Sequence, residues 1–247
     1  MMNSNDFSMK IKLTNENLHK AAEMTGFNNR LVSGKASKET YAEFIFNYLP
    51  IYKAIEDSLN DLEKDDKIKP FITKKLYRSE LIKKDIEFLL GDKTKSIELL
   101  PSTKAYVARI KELSIKNPIL IVAHAYTRFL ADLFGGRVIY EIVKNSYSIG
   151  DEGLNYFQFP EIDNLMDVVF AYRNNLMNLN LTDEEKELFL NEVANSYIYN
   201  IGVSTELEAK LYNNSEDITS TGHPHKNMPS GHPPINHGQM PQGHPHK

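Results

Sequence analysis

Apolar residues recur at three- and four-residue intervals along most of the chain up to Tyr212, and no stretch alternates with the two-residue period of a half-buried strand. The pattern predicts an all-α protein. A first helix starts near Thr14, carries Leu18, Ala21, Ala22 and Met24 on or near one face, and stops before Gly26. A second follows Ser37 through Tyr41, Phe44, Ile45, Tyr48, Ile51, Tyr52 and Ile55, and Pro50 within it predicts a kink because proline withholds a backbone donor. Ser79 reads as the cap of a shorter helix that Gly91 stops. Pro101-Ser102 opens the next. Asn117-Pro118 then starts a long apolar helix that crosses the doublet Gly135-Gly136 and continues to Val143, a length that predicts two segments bent at Gly135. Positions 150–160 read as a loop and 162–179 as a helix. Thr182-Asp-Glu-Glu185 is a capping box opening a final helix to about Tyr212. Packed antiparallel, these helices make a bundle-like single domain.

The helical pattern ends after Asn214. Six of the eight histidines fall at 223, 225, 232, 237, 244 and 246 among Pro, Gly, Ser, Asn and Gln, and Gly-His-Pro-His-Lys occurs at both 222–226 and 243–247. Such a composition cannot bury enough apolar surface to fold alone. The expected organisation is a flexible N-terminus over 1–10, one domain over 11–213 and a disordered tail over 214–247. Two readings of the tail stand side by side: proline-spaced imidazoles that hold a divalent metal, or a solvated tail with no selected metal.

Composition narrows the chemistry. With 247 residues, 41% of them hydrophobic, the chain can build one substantial core. It has no cysteine, which excludes disulfides, cysteine-held iron–sulfur clusters, thiolate-ligated heme and cysteine nucleophiles. A net charge of -4 spread along the chain gives no nucleic-acid footprint. The opening Met-Met-Asn-Ser-Asn-Asp lacks the basic start and apolar run of a signal peptide. Arg128 and Asp132 interrupt the most apolar stretch, Pro118 to Phe134, which is also short for a membrane span. The expectation is a soluble, cytoplasmic protein.

Two places carry candidate chemistry. On a helix, Glu16, His19 and Glu23 share a face, so a carboxylate could hold one imidazole nitrogen while the other binds a metal. Local pattern by itself favours a surface or half-buried histidine with acidic neighbours. Glu16-x-x-His19 is also half of a ferritin-like di-iron motif, although no second half is present. In the long apolar helix Arg128 and Asp132 are four apart and could simply pair. Asp132 also lies one turn before the glycine doublet, where a carboxylate can fix water and relay protons. Each glycine costs a helix interior about 1 kcal/mol relative to alanine, so two in succession mark a backbone that bends or lies close to something flat.

Taken together, Leu18-His-Lys-Ala-Ala-Glu23, the Ala123 to Val138 segment, Val169-Phe-Ala-Tyr-Arg-Asn174 and Tyr197 to Asn200 resemble, in order and approximate spacing, the heme oxygenases of the soluble, biliverdin-producing bacterial type. The similarity covers roughly residues 10–212. It implies a heme-oxygenase-like bundle with heme between a proximal helix and a kinked distal helix. His19 corresponds to the axial ligand of the heme iron and Glu23 to the acidic partner near its ring. Asp132 corresponds to the distal aspartate that organises water for oxygen activation. Gly135 and Gly136 correspond to the glycines that let backbone lie close to heme, and Tyr52, Arg128 and Asn200 to members of the distal polar network. Lys12, Tyr126 and Arg173 match positions near the heme propionates, and Tyr197 an aromatic wall. Ala131 stands where a glycine is common, Phe134 replaces a small serine, and Arg137 a glutamine. Val169 and Glu16 occupy positions that are often basic.

The implied activity is oxidative cleavage of heme b, at once cofactor and substrate, to biliverdin, carbon monoxide and ferrous iron with O2. No Gly-x-Gly-x-x-Gly fingerprint or cluster motif is present. Electrons would therefore come from outside, from a ferredoxin or a flavoprotein reductase, and a basic rim at the heme edge would suit an acidic donor. The alternative is a non-catalytic heme carrier or sensor with the same fold.

Overall fold

A computed structural model of the chain describes residues 7–212, which form nine α-helices joined by short 3-10 turns, with no strand among the described residues. The tail read as disordered or metal-binding lies outside the described residues, as do the first six positions.

Helix α1 (Phe7–Thr14) begins within the stretch expected to be flexible. It is held by Phe7 and Ile11, one turn apart and both buried, with the Phe7 ring edge-on to Phe189 at 5.6 Å. Eight residues are too few for a helical period to stand out, and a long-range ring contact leaves no local sign. Helix α2 (Glu16–Met24) carries His19 and meets α3 (Gly26–Val32) at a tight corner. Gly26 has φ +57°, and a β-carbon on it would lie 2.6 Å from the carbonyl oxygen of Ser204, so only glycine fits. Ser204 Oγ donates to Thr25 O at 2.8 Å and accepts from Asn28 N at 2.9 Å, pinning the corner to the last helix.

Helix α4 (Lys38–Asp61) starts at the expected Ser37, with Ser37 N donating to Thr40 Oγ1 at 2.8 Å and Thr40 N to Ser37 Oγ at 3.2 Å. Pro50 lies inside this single helical span. Helix α5 (Ser79–Leu90) does not use Ser79 as its cap. Ser79 is its first residue, and the free N–H groups of its opening turn are satisfied from α4: Glu56 Oε1 accepts from Arg78 N at 2.5 Å and Ser79 N at 3.0 Å, and Ser79 Oγ donates to Glu56 Oε2. Gly91 ends α5 at φ +51°, as its residue type predicts.

Helix α6 (Pro101–Lys116) leads to α7 (Ile121–Tyr147), which stays helical through Gly135 and Gly136 as a single 27-residue element. By length and composition the stretch Pro118–Tyr147 could cross a membrane, so shortness is no objection to a span. Burial is the better objection, because 72% of its most apolar window is covered by the rest of the protein. Helix α8 (Leu165–Met177) follows, and α9 (Asp183–Tyr212) opens with the expected capping box: Thr182 N donates to Glu185 Oε2 at 2.7 Å and Glu185 N to Thr182 Oγ1 at 3.2 Å. Helix α9 packs against α2, α3, α6 and α7 and so backs both regions that carry candidate chemistry.

Candidate active site

On α2, the His19 imidazole is half-exposed. Its Nε2 lies 3.5 Å from Glu23 Oε1, and the ring stands edge-on to Tyr197 of α9 at 5.7 Å. Glu23 faces one ring nitrogen, Nε2, which leaves the other, Nδ1, for a ligand in this rotamer. Glu16 does not join them. It takes Lys20 Nζ at 2.7 Å, and that hydrogen bond holds its carboxyl below the usual range. Among the described residues no group of three His, Cys, Asp or Glu could hold a metal, so the di-iron reading has no ligand set there.

On α7, Arg128 and Asp132 are not a simple ion pair. Their closest approach is a weak 3.4 Å, while Arg128 Nη2 donates to Tyr52 OH at 2.7 Å and Tyr156 OH at 3.0 Å, Nε to Tyr52 OH at 3.0 Å, and Nη1 to Asn200 Oδ1 at 2.9 Å. Asp132 in turn accepts from Tyr52 OH at 2.5 Å on Oδ2 and from Tyr156 OH at 2.9 Å on Oδ1. Burial raises the Asp132 carboxyl above the usual carboxylate range despite the opposing pull of Arg128 and the two phenols. Burial raises both tyrosines too, so they remain donors.

The polar chain continues away from Asp132. Asn200 Nδ2 reaches Tyr106 OH at 3.5 Å, Tyr106 OH lies 3.2 Å from His124 Nδ1, and His124 Nε2 is 3.0 Å from Glu192 Oε1. Arg109 closes it, with Nη2 donating to Glu192 Oε2 at 2.6 Å and Nε to Oε1 at 3.1 Å. Burial keeps His124 below the ordinary imidazole value and would raise Glu192. Hydrogen bonds from His124 and Arg109 overcome the second effect and bring Glu192 down to about 2. A continuous run of polar groups thus links Asp132 to Arg109, whose side chain is partly open to solvent.

Helix α9 joins the two half-sites. Tyr197 meets His19 and Asn200, three residues on, meets Arg128, so one turn of one helix backs both. Tyr126 packs near Tyr172, with rings 6.4 Å apart, and its phenol is raised by burial against the opposing charge of Arg173. Arg173 Nε reaches Ser8 Oγ of α1 at 3.4 Å, and the exposed Lys12 lies one turn further along that helix. The predicted cations therefore belong to the α1–α8 edge.

One face of α7 is left uncovered by protein. Ala131 and Gly135 are half-exposed and Phe134 and Val138 are 57% and 62% exposed, whereas Leu130, Asp132 and Leu133 between them are buried. The glycines are not required by the protein's own packing: a β-carbon on Gly135 would have only Ile139 within 4.0 Å, and one on Gly136 would meet Phe157 in ordinary contact at 3.6 Å. Ala131 and Gly135, small residues kept where the protein leaves room, lie beside a buried carboxylate and share the backing helix α9 with a half-exposed imidazole on α2, an arrangement that fits a flat apolar ligand with a metal centre.

All twelve residues singled out from the sequence have defined places. Asp132, Arg128, Tyr52 and Asn200 form one network, His19, Glu23 and Tyr197 a second cluster, Tyr126 and Arg173 a third with Lys12 one turn along α1 from the Arg173 partner Ser8, and Gly135 and Gly136 follow Asp132 on α7. Tyr156, Tyr106, His124, Glu192 and Arg109 were missed. Glu192 had one signal, an acid among the buried face residues Phe189, Val193 and Ser196 of α9. Tyr156 lies in a loop with no period to expose it.

The sequence model of the heme oxygenase family matches residues 5–206. The heme oxygenase of Guillardia theta is 31% identical over 207 residues, covering 83% of this chain and 87% of that one. Rattus norvegicus heme oxygenase 1 is 31% identical over 218 residues, covering 87% and 75%. Among solved structures, Leptospira interrogans heme oxygenase aligns with TM-score 0.77 at 27% identity over 81% of this chain and 99% of that one. Heme oxygenase-1 from Synechocystis, in complex with heme, aligns with TM-score 0.80 at 24% identity over 85% and 95%. A match spanning nearly the whole described fold, together with an imidazole, a buried carboxylate and a glycine doublet part-exposed at Gly135, arranged about one backing helix, makes this chain a member of the heme oxygenase family.

Proposed function

We propose that the chain cleaves heme oxidatively to biliverdin, carbon monoxide and ferrous iron, using O2 and electrons from an external donor. The observation that supports this most is Asp132, buried one turn before the part-exposed Gly135 with both carboxylate oxygens on phenols. A carrier gains nothing from a buried carboxylate wired to a polar chain; a catalyst that consumes protons does. Heme, when bound, supplies the oxygen-activating iron and is itself the ring that is opened. The protein's part is to hold and feed it. His19 offers a ligand nitrogen, with Glu23 orienting the ring. The bare faces of Ala131 and Gly135 allow close approach, and Lys12 and Arg173 offer cations to propionates. Asp132 holds and passes protons at its carboxylate oxygens, which Tyr52 and Tyr156 orient by donating to them while Arg128 holds both phenols in place.

Electrons are proposed to come from a ferredoxin or a flavoprotein reductase in the cytoplasm, and the histidines of the tail are proposed to take up a divalent metal. Full-length protein loaded with heme and given reductant in air is expected to lose its Soret band as biliverdin absorption rises. An undiminished Soret band would favour the carrier. Gly135→Ala sharpens the test, because it separates ligand from fold. The heme-free protein is expected to gain roughly 1 kcal/mol from helix propensity, about 2–4 °C in thermal midpoint, while heme affinity falls. A lower midpoint with unchanged affinity would show that the glycine serves packing.

A further inference from the structure

Tyr156 contacts Asp132, Tyr52 and Arg128 at once, at 2.9, 2.7 and 3.0 Å. A phenol has one proton, so Tyr156 OH can give it to Asp132 Oδ1 or to the Tyr52 oxygen while it accepts from Arg128 Nη2. Tyr52 already occupies Asp132 Oδ2, which makes Tyr156 the phenol on Oδ1.

Its placement is built from behind by α5. Asp85, fully buried, accepts from Asn155 N at 2.8 Å and Asn155 Nδ2 at 2.7 Å on Oδ1, and from Tyr156 N at 2.8 Å on Oδ2. Arg78, also buried, donates Nη1 to Gln158 O at 2.6 Å and lies over the Phe159 ring, 4.0 Å from its centroid. Taking two ionisable side chains out of water costs several kcal/mol each unless they are well partnered, and here much of the partnering goes to the backbone on either side of Tyr156. A loop that needed only to connect α7 to α8 would not require it.

Resting on the heme oxygenase reading above, we propose that Tyr156 is a positioning residue of the distal site: held by Asp85 and Arg78, its phenol fixes the plane of the Asp132 carboxylate and tempers its strength as a proton acceptor. The charged and titratable groups facing Asp132 are Tyr52 from α4, Arg128 on α7, Tyr156 from the loop and, through their fields, Tyr48 from α4 and Arg78 before α5. Burial raises Asp132 and the two phenols offset part of that rise, so loss of one donor leaves a more basic carboxylate.

The test is an absorbance pH titration of the ferric heme complex of the full chain, whose acid–alkaline transition responds to the acceptor strength of the distal carboxylate, with thermal midpoints recorded alongside. Tyr156→Phe is expected to raise the transition by about 1 pH unit with little change in midpoint. Asp85→Asn, which loosens the turn without touching Asp132, should give a smaller rise, and the double variant no more than Tyr156→Phe alone, since both act through one contact. Asp132→Asn serves as the reference. If Asp132→Asn moves the transition and Tyr156→Phe does not, or if Tyr156→Phe lowers only the thermal midpoint, the role given to Tyr156 is wrong. If Asp132→Asn also leaves the transition in place, the distal reading of Asp132 fails with it.

Discussion

Asparagine in place of Asp132 is expected to slow heme cleavage by about 10²- to 10⁴-fold while heme still binds, the range that a positioned proton-transfer group supplies. The substitution keeps the shape and one acceptor oxygen, so Tyr52 or Tyr156 retains a partner on α7. What it removes is the capacity to take up and release a proton at that point. Neither phenol replaces it, because burial holds both far above neutral pH as protonated donors. Arg128 cannot replace it either, since a guanidinium stays charged. Rates of Soret loss for the two proteins, each reconstituted to the same heme content, check the expectation. Equal rates would remove Asp132 from the reaction.

Alanine at position 19 is expected to act on binding instead. His19 is 45% exposed on its side chain and its contact with Glu23 is a long, solvent-screened pair, so the heme-free fold should lose less than about 1 kcal/mol. Heme loses its nitrogen ligand, and the expected result is an altered ferric absorption spectrum and at least roughly tenfold weaker binding, the scale on which even orienting partners of metal ligands matter. Added imidazole should restore the spectrum by entering the space the side chain leaves. An unaltered spectrum would assign the iron to another residue. The six histidines near the C-terminus are the first alternatives to examine.

Helix starts and stops set by neighbours in the sequence were legible. Thr182 and Glu185, Ser37, Pro101 and Gly91 mark boundaries because caps, proline and positive-φ glycine act within a few residues. Contacts made across the fold left no such mark. Glu56, not Ser79, caps α5 from 23 residues away, and α1 is fixed by a ring on α9. The same division runs through the site. His19 with Glu23, and Arg128 with Asp132, stand out by helical spacing, and resemblance to a family added Tyr52, Asn200 and the cation positions. Tyr156 and the run from Tyr106 through His124 and Glu192 to Arg109 are assembled by contacts between different elements, several of them more than 60 residues apart in the chain. Periodicity cannot announce a residue in a loop, and a buried histidine on an apolar helix face looks the same whether it relays a proton or fills a core.

Carbon monoxide released per heme consumed tests the central claim most directly. The full chain, loaded with heme and supplied with O2, a reductase and catalase to remove free peroxide, is expected to release one carbon monoxide for each heme lost, with the Asp132→Asn variant far slower. Heme that persists, or that bleaches without carbon monoxide, would contradict the account.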